Sequence, residues 1–385
     1  MTTRFREGNQ ITLLRCGAEF FPELEKAIDD AQHDVYLQTY IFEEDESGRR
    51  IAEAFKRAAS RNVNVYVLAD GFGSFGMSRQ FERDLIEAGV QLLFYRRRHP
   101  LFSFKLSRLR RLHAKVAVMD GRVAFVGGIN LIDDLNRPGG EAPRIDYAVR
   151  VEGPLVPEIY SQASRLWRRI AWMHFRRRVM STRPLPATKP IAGGVKAAFV
   201  PRDNVLHRHD FEREYLSAIA NAQFDIVIAN AYFLPGRRFR QSLIAAAERG
   251  VKVKLLLQGR MEYFFLFATQ SFYDSLIRCG IEIYEYQKSY MHSKVAVIDR
   301  EWSTVGSSNL DPFSLLLARE ANIIVKDKHF AEELCADIHR TIQEGAVRVK
   351  PETWQQQPAH KRLVSRFMYQ VIRIGLGMIG YPKAQ

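Results

Sequence analysis

The chain has 385 residues, 46% hydrophobic and 26% charged, a composition that suits a folded protein and a length too great for one simple core. Lysine and arginine exceed aspartate and glutamate by 57 − 43 = 14, so an anionic partner is expected, and nucleic acid and phospholipid headgroups both qualify. Cys16, Cys279 and Cys335 are scattered, odd in number and in no metal-ligand spacing, which fits a reduced intracellular setting better than a disulfide framework.

Along the chain, Met1 to Asn9 lack the apolar stretch of a signal peptide. No window reaches the roughly 18 uncharged apolar residues of a spanning helix, so membrane contact would come from the surface. Residues 27–42, AIDDAQHDVYLQTYIF, read as the end of a helix and a buried strand. Residues 48–61 carry apolar side chains at helical spacing, and VNVYVLA follows as a second strand. A third helix–strand step spans 84–97. Phe102 to Leu112 alternate apolar and basic residues and lead into His113-x-Lys115-x4-Asp120, on the strand AKVAVMD, and then Gly127 to Asn130. Asp146 opens the next strand. After a basic, aromatic stretch over 165–179, residues 184–201 read as a linker rich in proline, with Gly193 and Gly194 adjacent.

The second half repeats the first. Residues 218–233 align without a gap on 27–42, 246–259 on 58–71, and 275–288 on 84–97. His292-x-Lys294-x4-Asp299 follows 292 − 113 = 179 residues after its counterpart and runs into Gly306 to Asn309; Glu320 then opens a strand. Residues 261–268 are apolar for a loop, and 363–381 form an apolar tail with few charges. The expected fold is α/β: two pseudo-symmetric lobes, each a mixed or mostly parallel sheet flanked by helices, with the active site between the lobes. The expected divisions are 1–183 for the first lobe, 184–201 for the linker, 202–350 for the second lobe and 351–385 for a basic, apolar tail at a membrane interface.

The duplicated pattern carries chemistry. On a strand, His113 and Lys115 point to one face, as do His292 and Lys294. Two imidazoles at one anion can divide the labour, one attacking phosphorus and one protonating the leaving oxygen. Lys115, Lys294, Asn130 and Asn309 would stabilise charge on the phosphate oxygens, and Gly128 and Ser307 would let backbone approach them. With lysines in that place, no metal or other cofactor is expected. Asp120 and Asp299, grouped with the catalytic motif, lie at the turn beyond the strand and read as structural caps. Asp146 and Glu320, offset by 146 − 113 = 33 and 320 − 292 = 28 residues, are the candidates for orienting the imidazoles. His174, His207 and His209 read as solvated surface residues.

The two HxKxxxxD motifs with Gly127-Gly-x-Asn and Gly306-Ser-x-Asn resemble the phospholipase D superfamily. Arg6-Glu-Gly-Asn-Gln-Ile-Thr-Leu-Leu, Leu68-Ala-Asp-Gly-Phe-Gly-Ser and Val305-Gly-Ser-Ser-Asn-Leu-Asp-Pro are similar to phrases of bacterial cardiolipin synthases of the short B type. That resemblance runs from about Phe5 to Lys350. It implies a bilobal fold, a phosphohistidine intermediate, transfer without a metal, and His113 as the nucleophile with His292 as the acid. It also implies phosphatidylglycerol and cardiolipin as lipid partners, with the protein peripheral on the cytoplasmic face of the inner membrane. The rival within the superfamily is a hydrolase or nuclease, since the pocket reads only a phosphodiester. The apolar–basic stretches weigh against nucleic acid, and two motifs in one chain allow an active monomer. A scaffold without catalysis is the rival of another class, and the intact motifs weigh against it.

Overall fold

In a computed structural model of the chain, residues 3–96, 110–136, 143–174, 188–203, 207–260, 263–311, 318–352, 365 and 367–368 are described. The first half contains β1 (Arg6–Arg15), α1 (Cys16–Asp29), β2 (Asp34–Thr39), α2 (Glu46–Ser60), β3 (Asn64–Asp70), α3 (Arg79–Glu87) and β4 (Gln91–Tyr95). It continues with β5 (Arg111–Leu112), β6 (Lys115–Met119), β7 (Val123–Gly127), β8 (Tyr147–Glu152) and α4 (Val156–Met173). The second half runs β9 (Val195–Arg202), α5 (Asp210–Asn221), β10 (Asp225–Asn230), α6 (Arg237–Glu248), β11 (Lys252–Gln258), α7 (Tyr263–Gln270) and α8 (Tyr273–Arg278). It closes with β12 (Glu282–Tyr286), β13 (Lys294–Ile298), β14 (Trp302–Gly306), β15 (Ala318–Lys326), α9 (Lys328–Gly345) and β16 (Ala346–Arg348).

The strand order in the first lobe is β1-β8-β7-β6-β2-β3-β4, and the second lobe repeats it as β9-β15-β14-β13-β10-β11-β12, with β16 added at the edge. Each sheet is mixed. Among neighbouring strands along each lobe's order, β2, β3 and β4, and likewise β10, β11 and β12, pair in parallel and the others antiparallel. The motif strands β6 and β13 lie antiparallel to β2 and β10, and also to β7 and β14, to which tight turns join them. A short antiparallel pairing of β1 with β9 makes the two sheets continuous.

The period-two pattern of the motif strands sets the layers. Val116 and Val118 of β6 face the same central cluster as Val295 and Val297 of β13, together with Trp167 of α4 and Leu334 of α9. The alternate residues face outward: Ala117 and Met119 meet Phe55 and Leu24 under α2 and α1, while Ala296 and Ile298 meet Leu243 and Leu276 under α6 and α8. The lobes therefore pack face to face across one shared core. The helices follow from capping and apolar spacing. Asp45 accepts from Gly48 N at 2.9 Å to start α2, whose Ile51, Ala52, Phe55 and Ala58 are buried, and Ser78 and Asp327 cap α3 and α9 in the same way.

Two features differ from the sequence reading. The stretch expected as a linker over 184–201 contains most of β9, which pairs with β1 and, from Lys196 to Arg202, with Glu320 to Lys326 of β15; its prolines fall before Val195 and at Pro201, so the strand between them is uninterrupted. Residues 184–187 lie outside the described residues. The basic, aromatic stretch over 165–179 begins as the end of α4, a core helix equivalent to α9: Leu166, Trp167, Ile170 and Ala171 are buried, the helix's arginines face outward, and of the large apolar side chains described there Trp172 and Met173 are exposed. The repeat was missed there because α4 and α9 share burial pattern and not residue identity. Residues 175–179, 102–109 and all but three residues of the 363–381 tail lie outside the described residues.

Candidate active site between the two lobes

Both motif histidines sit one step before their strands. β5 leaves its own lobe and pairs parallel with Ala318 and Arg319 at the head of β15, so that His113 N donates to Arg319 O at 2.9 Å. The second lobe does the same in reverse: Met291 bridges to Ile145, and His292 N donates to Ile145 O at 2.7 Å. Each histidine is thereby held beside the strand that opens with the other lobe's carboxylate. The His113 Nδ1 lies 3.0 Å from Glu320, and the His292 Nδ1 lies 2.6 Å from Asp146. Each expected carboxylate thus lies against an imidazole, and the pairing is crossed between lobes, a point that offsets along the chain could not supply.

With each Nδ1 engaged by a carboxylate, each Nε2 is left with its lone pair for the space between the rings. The ring centroids are 6.5 Å apart, at 68° to one another. An in-line path from an attacking nitrogen through phosphorus and a leaving oxygen to a donor nitrogen spans roughly 6–8 Å. Both rings are close enough to reach one small anion between them. Tyr40 lies 5.1 Å from the His113 ring, and Tyr290 stacks on His292 at 6.2 Å, so both imidazoles have an aromatic wall.

The charges are arranged for an anion. Lys115 Nζ donates to His113 O at 2.7 Å and Lys294 Nζ donates to His292 O, while Lys294 Nζ also lies 3.8 Å from Asp146. Both lysines are buried, and burial pulls their pKa values down, to about 7 for Lys115 and about 8 for Lys294. Burial likewise lowers both histidines, His292 well below the usual imidazole range with Lys294, Lys115 and Arg144 adding to the effect. The Asp146 carboxyl is pushed up to about 6 by burial, which the Lys294 charge opposes. Glu320 moves the other way: His113, Lys115 and the Ser307 hydroxyl outweigh its burial and hold it below the usual carboxylate range. At neutral pH both imidazoles are uncharged and both carboxylates ionised. An anion bound between the rings would supply the counter-charge that an imidazolium needs.

Arg144, two residues before Asp146, was missed by sequence reasoning. It is buried, and its guanidinium lies 5.9 Å from the Tyr290 ring, near enough to act on His292, Asp146 and Lys294. Its signal was its place just ahead of a candidate carboxylate. Tyr40 and Tyr290 gave a similar one, at the end of a buried strand and two residues before a motif histidine.

The remaining candidates divide. Asn130 is buried beside the pocket, with its Oδ1 accepting from Ile41 N at 3.1 Å, which leaves its amide hydrogens as donors. Asn309 is buried as well, and its Oδ1 has no hydrogen-bond partner among the described residues. Gly128 and Ser307 do not offer free amides to a phosphate: their N–H groups donate to Tyr147 O at 2.8 Å and Ala321 O at 3.0 Å. Their work is on the carboxylates. A Cβ on Gly128 would stand 2.2 Å from Asp146 Oδ1, so glycine makes room for that group, whereas the Ser307 hydroxyl accepts from Ala321 N at 3.0 Å and supports Glu320.

Asp120 and Asp299 lie at the far end of the motif strands, away from the imidazoles. Asp120 accepts from Gln32, His33 and Asp34 N at 2.8–2.9 Å, and Asp299 accepts from Gln223, Phe224 and Asp225 N at 2.7–3.1 Å. Each ties the turn after its motif strand to the start of the neighbouring strand. Two cavities elsewhere, about 370 Å³ between α4 and β9 and about 650 Å³ beside Asp299, include neither histidine. The titratable groups locate the chemistry here; cavity size does not.

Comparison with known proteins supplies a family. The family described as "Cardiolipin synthase, PLD-like domain" matches residues 24–145 and 215–342, one match in each lobe. Proteins named cardiolipin synthase B from Shigella flexneri and Escherichia coli (strain K12) are 39% identical over 344 residues, covering 87% of this chain and 80% of theirs. The one from Salmonella typhi is 41% identical over 345 residues, with the same coverage. Among solved structures, phosphatidylserine synthase of Haemophilus influenzae superposes with a TM-score of 0.66 over 96% of this chain and 95% of that one, at 15% identity, a likeness of fold.

Proposed function

This chain belongs to the cardiolipin synthase family of phospholipase D-like proteins, and from that premise we propose that it transfers a phosphatidyl group from phosphatidylglycerol to a second phospholipid alcohol, forming cardiolipin. The observation that carries this reading is the pair of imidazoles 6.5 Å apart, each with Nδ1 on a carboxylate of the opposite lobe. His113 Nε2 attacks phosphorus. The N–P bond forms as the bond to the glycerol headgroup oxygen breaks, and His292, protonated on binding of the anion, gives its proton to that oxygen. Glycerol leaves. The hydroxyl of a second phosphatidylglycerol enters, His292 takes its proton, and the oxygen displaces His113 from phosphorus, returning both imidazoles to their starting states.

The assignment of roles rests on the carboxylates. Glu320 is fully buried and firmly ionised, which makes His113 the more basic and more nucleophilic ring. His292, with its proton affinity depressed well below the usual range, is the stronger acid once charged. Lys115, Lys294 and Arg144 stabilise the equatorial oxygens. A single chain carries both histidines, so a monomer is complete. Among the described residues no helix is long and apolar enough to cross a membrane, and the protein meets its lipid from the surface, at the cytoplasmic face of the inner membrane in this reading. Incubation with headgroup-labelled phosphatidylglycerol vesicles, and in parallel with single-stranded DNA, tests it. Cardiolipin and free glycerol in equal amounts are expected. Phosphatidic acid as the main product, or cleavage of the DNA alone, would replace the transferase with a hydrolase or a nuclease.

A further inference from the structure

The direction of the strands defines which end of the molecule carries the histidines. β2 runs toward the site, ending at Thr39 just before Tyr40, which packs on His113. β3 is parallel to β2, so the loop that follows Asp70 emerges at the same end. Asp70 confirms the placement: it is buried, and its carboxylate accepts from Phe72 N, Gly73 N and, at 2.7 Å, Leu112 N, the residue before His113. α4 also climbs toward that end. Its Tyr160 OH donates to Asp34 at the start of β2, and its Ala163 O accepts from Gln38 near the end of β2. Further along α4, Trp167 packs on Tyr66 of β3 at 4.6 Å, so the last turns of α4 lie over the strand that leads into that loop.

Four large apolar side chains lie exposed there: Phe72 at 47%, Phe75 at 67%, Trp172 at 67% and Met173 at 53%. A cation accompanies them, with the Arg111 guanidinium 4.6 Å from the Phe72 ring centre, and Arg168 and Arg169 exposed one turn before Trp172. Single exposed apolar residues are ordinary, and Phe224, 69% exposed at the opposite end before β10, is one. A group of four with flanking arginines, at the end where a phosphodiester pocket opens, is not. Aromatic rings with cations beside them suit the headgroup boundary of an anionic bilayer.

We propose that this end of the first lobe is the membrane-docking face, with the loop carrying Phe72 and Phe75 and the tip of α4 carrying Trp172 and Met173 dipping into an anionic phospholipid surface. The inference deepens the lipid reading above and rests on it for the reason a bilayer is present. It explains how a diester anchored by its acyl chains reaches two half-buried imidazoles without leaving the membrane: the insertion points and the pocket share one end.

The test reads binding without turnover. Full-length protein carrying His113→Ala is sedimented with vesicles of phosphatidylglycerol in phosphatidylcholine, with pure phosphatidylcholine vesicles alongside. Adding Phe72→Ser with Phe75→Ser, or Trp172→Ala with Met173→Ala, is expected to weaken binding to the anionic vesicles by about tenfold or more. Phe224→Ser, equally apolar and exposed at the far end, is expected to bind as the parent does, and equal melting temperatures show that each variant is folded. Unchanged binding in both double variants, or an equal loss in Phe224→Ser, would overturn the docking face. So would a loss confined to binding of single-stranded DNA. Because no reaction is measured, a wrong substrate assignment leaves this result standing, and product analysis fails or succeeds separately.

Discussion

Lys115 and Lys294 are held where a charge is costly, and that cost has a pH signature. Burial depresses Lys115 to about 7, far below the lysine of an unfolded chain, so between pH 7 and the unfolded value the folded state binds fewer protons than the unfolded one. Stability is then lowest below pH 7 and rises with pH through that window. Lys115→Met should remove the rise, increase the melting temperature at pH 7 and abolish turnover; calorimetry over pH 6–10 checks it. A destabilised variant, or an unaltered slope, would mean that the lysine is not paying a desolvation cost. Gly128 gives a second residue-scale prediction. Gly128→Ala pushes a methyl against Asp146, the partner of His292, and should cost on the order of 10²-fold in kcat on a soluble phosphodiester, while Ser307→Ala stays within about tenfold. Equal effects would show that the Gly128 contact is relieved without moving Asp146. At this scale the sequence exposed the histidines, lysines, asparagines and both carboxylates, because the duplication flagged them. Arg144 stayed hidden, since nothing in the second half repeats it.

The element scale explains how the residues meet. The short strand β5 and the bridge at Met291 each cross to the other lobe, and this exchange delivers each motif histidine to a foreign carboxylate. Residue spacing within one half could not reveal it, because a two-residue pairing between halves leaves no periodic trace. The longer elements were legible for the opposite reason: buried strands such as Asp34–Thr39 and capped amphipathic helices such as Glu46–Ser60 write their periods over many residues. β9 was obscured by the prolines around it, and α4 by arginines on its exposed face. Asp120 belongs here too, since its carboxylate binds three consecutive amides at the start of β2. Asp120→Ala should lower stability by about 2–4 kcal/mol and leave kcat nearly unchanged well below the melting temperature. Lost turnover at an unchanged melting temperature would move Asp120 from scaffold to chemistry.

At the scale of the molecule, two half-sites become one because the lobes share a core. Val116 and Val118 pack in one cluster with Val295 and Val297, and the motif strands that carry these valines begin at Lys115 and Lys294. Pseudo-symmetry then sets the histidines face to face, while Asp146 with Gly128 on one side and Glu320 with Ser307 on the other break the symmetry enough to give the rings different proton affinities. The most direct measurement is a crystal structure of the protein with vanadate, which adopts the five-coordinate geometry of phosphoryl transfer. One vanadium is predicted, bonded to His113 Nε2, with His292 Nε2 hydrogen-bonded to the opposite apical oxygen and the lysines on the equatorial oxygens. Two ions in separate cavities, each held by one imidazole, would contradict it.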